Sequence, residues 1–165
     1  VPRAMPEGVH GLLALGGARL PEEISLRLAG LLFRRGTEGA RLVAGAVETM
    51  LFRDGYLTEA SASNVLAVKD GTVIVPPKDH QILPGITYDA TIEFAREAGM
   101  PMEIRPVRRE EALSADEMWL SSSTKEVLAI TTLDGKPFGS GVPGPVFRRM
   151  YAAFQAHKPA SSRRA

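Results

Sequence analysis

Three short stretches of this sequence carry side chains that could do chemistry. TEASASN, Thr58–Asn64, sets one carboxylate, Glu59, among small hydroxyls with no obvious cation beside it. A surface loop would account for that, and so would a cationic partner that the chain does not itself supply. ILPGIT follows, where Pro84-Gly85 marks a turn and Ile86 and Thr87 open a helix. Gly85 lets the backbone come close to a ligand, and the free N–H groups and dipole of a helix start suit a phosphate. Most helix N-termini nonetheless hold only water or a capping side chain. SSST, Ser121–Thr124, closes a strand-like run with hydroxyls that can grip phosphate oxygens or bond their own backbone as a turn. His10, His80 and His157 lie far apart without metal-ligand spacing, and neither a Walker motif nor GxGxxG occurs.

The elements that would position these residues can be read from periodicity. Ile24, Leu26, Leu28, Leu31 and Leu32 recur near helical spacing, and a second short helix could hold Ala40–Ala44. VETMLFRDGYL and NVLAVKDGTVIVPP each read as strand, Asp-Gly turn, strand, and VLAITTLDGKPF repeats the pattern. Hairpins so closely spaced predict a mostly antiparallel meander. The PGIT turn leads into a helix with Thr87 as N-cap, apolar Ile92, Phe94 and Ala95, and a stop at Gly99. PMEIRPV is a short strand, REEALSADE a short helix and turn, and EMWLSSS a strand ending in hydroxyls. Val146, Phe147, Met150, Tyr151 and Phe154 mark a closing amphipathic helix. Trp119 and the methionines read as core, and Glu22-Glu23 and Glu110-Glu111 as solvated helix charges. Strands and helices alternate irregularly around hairpins, so the fold class is α+β.

The chain has 165 residues, 44% hydrophobic and 24% charged, enough for one domain with a sizeable core. A net charge of +1 favours neither nucleic acid nor a membrane surface. Cysteine is absent, which excludes disulfides, thiolate metal sites and a cysteine nucleophile. No apolar run approaches the roughly 20 residues that span a bilayer, and a cytoplasmic setting is expected. The first residue is Val, so a preceding segment is expected.

The order of the pieces is more specific than any one of them. RDGYLTEASASNVLAVKDG, ILPGITYD, AREAGMP, ADEMWLSSSTKEVLAITTLDGKP and GPVFRRMYAAF follow one another between about Val43 and Phe154. Together they resemble the D-amino-acid aminotransferase (D-alanine transaminase) group of fold-type IV pyridoxal-phosphate enzymes. The resemblance implies the large, C-terminal, cofactor-binding domain of that fold, a hairpin-rich sheet with flanking helices at residues 23–157. Residues 1–22 would be a linker or lead-in, 158–165 a disordered tail, and a smaller N-terminal domain would precede. It implies that Glu59 faces the pyridine nitrogen of pyridoxal 5'-phosphate. A carboxylate there keeps that nitrogen protonated, and the cationic ring withdraws electrons from the substrate Cα. It further implies phosphate contacts from the backbone at Ile86 and Thr87 beside Gly85 and from the hydroxyls of Ser122 and Ser123. Leu83 would pack against the ring, with Ser63 and Asn64 lining the site.

The activity implied is transamination between amino acids and 2-oxo acids, of the D-alanine with 2-oxoglutarate type, in a homodimer. A branched-chain aminotransferase or an aminodeoxychorismate lyase of the same fold remains an alternative, as does a non-catalytic remnant that binds phosphate or a partner protein. The sequence departs from the family at one place. The family carries its covalent lysine in a segment reading roughly acid–Ile–Lys–Ser–Leu, and the matching Glu23-Ile24-Ser25-Leu26 has none. Either the lysine has been lost, or a lysine bearing the cofactor belongs between Ile24 and Ser25; the second is our expectation.

Overall fold

The structure is a computed structural model that describes residues 48–158 and, by backbone alone, the short strands β1 (Val9–His10), β2 (Ser25–Leu26) and β3 (Leu31–Leu32). The helical spacing of the leucines around residue 28 therefore gives two strand pieces where they are described. The expected Ala40–Ala44 helix lies outside the described residues, as do residues 159–165.

The Asp-Gly pairs turn the chain where expected. They join β4 (Met50–Arg53) to β5 (Tyr56–Ala60), β6 (Asn64–Lys69) to β7 (Thr72–Val75) and β11 (Thr132–Leu133) to β12 (Lys136–Pro137). Asp54, Asp70 and Asp134 have φ of 50°, 49° and 51°, and the glycines after them 82°, 75° and 76°. Positive φ at both central residues defines the tight hairpin turn whose twist matches the flanking strands.

The strands do not form a simple meander. One six-stranded sheet runs β2-β10-β9-β6-β7-β8, using β8 (Met102–Ile104), β9 (Glu117–Ser122) and β10 (Glu126–Ile130). It is mixed, because β2 lies parallel to β10 and β7 parallel to β8. The β4–β5 hairpin forms a sheet of its own, and β6 pairs with the distant β9. Burial explains this arrangement. Residues Asn64–Val68 of β6 are all buried, so this strand needs cover on both faces. Val65 and Ala67 enter one core with Met50, Phe52 and Leu57 of the hairpin and Ala112 of α2 (Arg109–Leu113). Leu66, Val68 and Trp119 enter the other, with Tyr88 and Ile92 of α1 (Ile86–Glu97) and Phe147 and Met150 of α3 (Pro145–Ala156). The result is three layers: paired helices, the mixed sheet, and the hairpin with α2.

The sheet also sets the start of α3. Glu117 accepts the N–H groups of Val146 (3.0 Å) and Phe147 (2.8 Å), closing the helix N-terminus with a carboxylate from β9. A Cβ at Gly144 would fall 2.1 Å from Glu117 Cδ, so that contact depends on glycine.

At the far end of α3, His157 stacks on Phe94 of α1, ring centroids 4.0 Å apart. Its Nδ1 lies 2.7 Å from Ala153 O and its Nε2 2.6 Å from Glu97 Oε2. Both partners are acceptors, which only the doubly protonated imidazolium satisfies. The Ala153 carbonyl and then the Glu97 carboxylate raise the pKa of His157 above its ordinary value. Its stabilisation is thus complete below the unfolded-state pKa of about 6.5 and is lost as pH rises through the higher folded-state value. His157→Phe, which keeps the stack, is expected to lower the melting temperature more at about pH 5.5 than at about pH 8.5. An equal loss at both would remove the charge from the clasp. The next residue, Lys158, pairs with Glu126.

Candidate active site

A cavity of about 370 Å³ opens between the turn after β5, the segment before α1 and the turn between β9 and β10. Each candidate residue lines it: Glu59, Ser63 and Asn64 on one side, Leu83, Gly85, Ile86 and Thr87 on the second, and Ser122 and Ser123 on the third.

The first two sides are tied together. The Leu83 N–H donates to Glu59 Oε2 at 2.9 Å. Asn64 Nδ2 donates to Leu83 O at 3.1 Å, and Asn64 Oδ1 accepts the Gly85 N–H at 3.2 Å. The turn is therefore held at both ends by side chains flanking one short loop, and Asn64 acts chiefly as a clamp. Among the described residues no cation pairs with Glu59. Leu83 is 80% exposed and Ile86 90%, an unusual exposure for large apolar side chains beside a cavity.

Gly85, not Thr87, is the N-cap of α1, and no side chain caps that end. Thr87 is the second helical residue, because a glycine already holds the extended cap conformation (φ −74°, ψ 159°). Any residue adopts that backbone, and a Cβ at Gly85 would meet only Asn64 Oδ1 at an ordinary 3.5 Å. The contrast with α3 is direct. Both helices have twelve residues and a glycine N-cap, yet α3 receives Glu117 and α1 points bare N–H groups at the cavity. A phosphate oxygen fits that end as the Glu117 carboxylate fits the other.

The third side is a hairpin loop, Ser123–Lys125, closing on the pair Ser122 and Glu126. Glu126, the first residue of β10 after the loop, has a left-handed φ of 59°. Ser122 Oγ accepts the Lys125 N–H at 3.2 Å, which leaves its own proton free to donate. Ser123 is exposed at the cavity. Ser121 also lines the cavity, and its Oγ meets Thr91 Oγ1 of α1 at 3.1 Å, so the hydroxyl run ties the site to the α1 packing.

Sequence reasoning missed Glu48 and Lys125. Glu48 is 1% exposed, accepts Ser63 Oγ at 2.5 Å and the Ala62 N–H at 3.1 Å, and pairs with Lys125. A lone acid entering the apolar run VETMLF was the available signal. Of the segment Glu23–Leu26, only the backbone of Ser25 and Leu26 is described, as β2 beside β10 in the sheet.

Comparison with known proteins adds to the geometry. A model of the family described as amino-transferase class IV matches residues 40–133. The D-alanine aminotransferase of Bacillus licheniformis is 38% identical over 112 residues, covering 68% of this chain and 40% of that protein. The branched-chain-amino-acid aminotransferase of Escherichia coli strain K12 is 38% identical over 101 residues, covering 61% of this chain and 33% of that protein. The crystal structure of an E. coli branched-chain amino acid aminotransferase superimposes with a TM-score of 0.65 at 35% identity, over 68% of this chain and 38% of that one. That of the branched-chain amino acid aminotransferase from Thermobaculum terrenum in its PLP form gives 0.62 at 32%, over 67% and 37%. The chain thus spans well under half the length of the relatives it matches.

Proposed function

This chain belongs to the amino-transferase class IV family, and from that premise we propose that it supplies the pyridoxal 5'-phosphate-binding part of a transaminase. The observation that carries the reading is the bare N-terminus of α1 facing Ser122 and Ser123 across a cavity that also holds Glu59. The donor set fits the cofactor: backbone N–H groups and hydroxyls for a phosphate, exposed Leu83 for a ring face, a carboxylate for a protonated ring nitrogen. When bound, pyridoxal phosphate supplies an electron sink for the substrate Cα. Glu59 holds the proton on the ring nitrogen, Leu83 and Ile86 exclude water, and Asn64 keeps the 83–85 turn in place.

The substrate is proposed to be a D-amino acid, as in D-alanine with 2-oxoglutarate, because the Ser61–Asn64 ending of the TEASASN motif follows that group. Transfer of branched-chain amino groups is the second reading, supported by the likeness to solved enzymes of that kind. Assaying the complete protein with D-alanine and with L-leucine, each with 2-oxoglutarate, separates them. Among the described residues, neither lysine nor arginine lines the cavity. We therefore assign the covalent lysine, the substrate-carboxylate ligands and a homodimeric assembly with the site near the interface to the complete protein.

The phosphate grip is tested by Thr87→Val with Ser123→Ala. Pyridoxamine 5'-phosphate is the suitable probe, since it lacks an aldehyde that reacts with surface lysines. Each hydroxyl lost to a charged phosphate is expected to weaken binding about tenfold or more, while Ser140→Ala, outside the cavity, leaves it unchanged. Equal effects at all three positions would make the hydroxyls ordinary turn residues.

A further inference from the structure

We infer that Lys125 is a positioning residue of the cavity that acts through Glu48; this rests on the reading of the cavity as a cofactor site. Lys125 does not line the cavity. Its ammonium contacts Glu48, and its side chain is only 22% exposed. Glu48 also accepts the Ala62 N–H (3.1 Å) and Ser63 Oγ (2.5 Å), both from the turn after β5. The backbone N–H of Lys125 donates to Ser122 Oγ at 3.2 Å, on the turn between β9 and β10. One buried carboxylate therefore joins two walls of the cavity, and one lysine spans the join.

The electrostatics give this join a direction. A carboxylate 1% exposed, left with two neutral donors, is strongly disfavoured. Without the ammonium, Glu48 regains water only by parting the two turns. That movement displaces Ser63 on one wall and Ser122 on the other, the hydroxyl whose proton is freed because it accepts from Lys125. Lys125 thus sets the gap that the phosphate ester enters, at a distance from the ester itself.

The experiment compares Lys125→Met, Lys125→Arg and the double variant Glu48→Gln/Lys125→Met with wild type by two readouts. Hydrogen exchange in the ligand-free chain reports the turn at residues 61–64, where Ala62 N donates to Glu48. Titration with pyridoxamine 5'-phosphate reports affinity. Lys125→Met is expected to speed exchange at that turn and to weaken binding about tenfold, because a buried charge has lost its partner. Lys125→Arg, which still offers a cation to the carboxylate, is expected to stay within about twofold of wild type. The double variant holds no buried charge, so protection and most of the affinity should return. Wild-type exchange and affinity in Lys125→Met would overturn the inference, as would a double variant no better than the single one. A wild-type chain that fails to bind the probe removes the cofactor reading alone, because the exchange measurements still decide whether Lys125 acts through Glu48.

Discussion

Glu59→Gln is expected to lower transamination by the complete protein about a hundredfold while the domain stays folded, and Glu59→Ala to lower it further. The two substitutions separate two duties of one side chain. Oε2 accepts the Leu83 N–H at 2.9 Å, which steadies the turn that carries Leu83. Gln keeps an acceptor for that N–H and loses only the negative charge. The missing interaction is a charge-assisted hydrogen bond to the ring nitrogen, about 1.5–3 kcal/mol in binding alone, with a further loss because the ring is no longer held protonated. Ala removes the turn contact as well. Circular dichroism checks the fold, and turnover with saturating cofactor checks the chemistry. Activity of Glu59→Gln within about threefold of wild type would remove the ring-nitrogen role.

Asn64→Asp should cripple cofactor binding through the exchange of a single heavy atom. Asn64 is 5% exposed and spends both ends of its amide on one turn, donating to Leu83 O at 3.1 Å and accepting from Gly85 N at 3.2 Å. Asp preserves the acceptor but presents a carboxylate oxygen to the Leu83 carbonyl. The repulsion and the buried charge cost about 1–3 kcal/mol of stability. The new charge also sits at the helix start that is to receive an anion. Affinity for pyridoxamine 5'-phosphate is expected to fall about a hundredfold, the larger share from the displaced α1 N-terminus. Gly85→Ala is the matched control: its Cβ makes only a 3.5 Å contact with Asn64 Oδ1, so the chain should fold and melt as wild type does. Tight binding by Asn64→Asp would show that the clamp does not govern the site.

Local chemistry made part of this legible before any coordinates. An Asp-Gly pair turns a hairpin because both residues accept positive φ, so Asp54, Asp70 and Asp134 could be read singly. The apolar spacing of Val146, Phe147 and Met150 likewise needs only the helical period, and Phe147 and Met150 are buried as it requires. What depends on distant partners was not legible. The pairing of β6 with β9 leaves no local mark, so the hairpins read as a meander. The α1 cap was assigned to Thr87 because hydroxyls usually serve there; Gly85 serves, and the N–H groups stay open. Glu48 and Lys125 lie 77 positions apart, and neither residue alone announces the other. Glu59 was legible through its motif, whereas the clamping role of Asn64 required the path of the chain from β7 to α1.

Asn64 and Ser121 face each other in register across β6 and β9. All of β7, α1, β8 and α2 lies between them in the chain. A pairing so remote in sequence closes only after a large loss of chain entropy, and such contacts slow folding. The cavity is complete only when β6 and β9 are paired, because its walls come from residues on both sides of that pairing. A phosphate ester can therefore be gripped from both sides only once that pairing has closed.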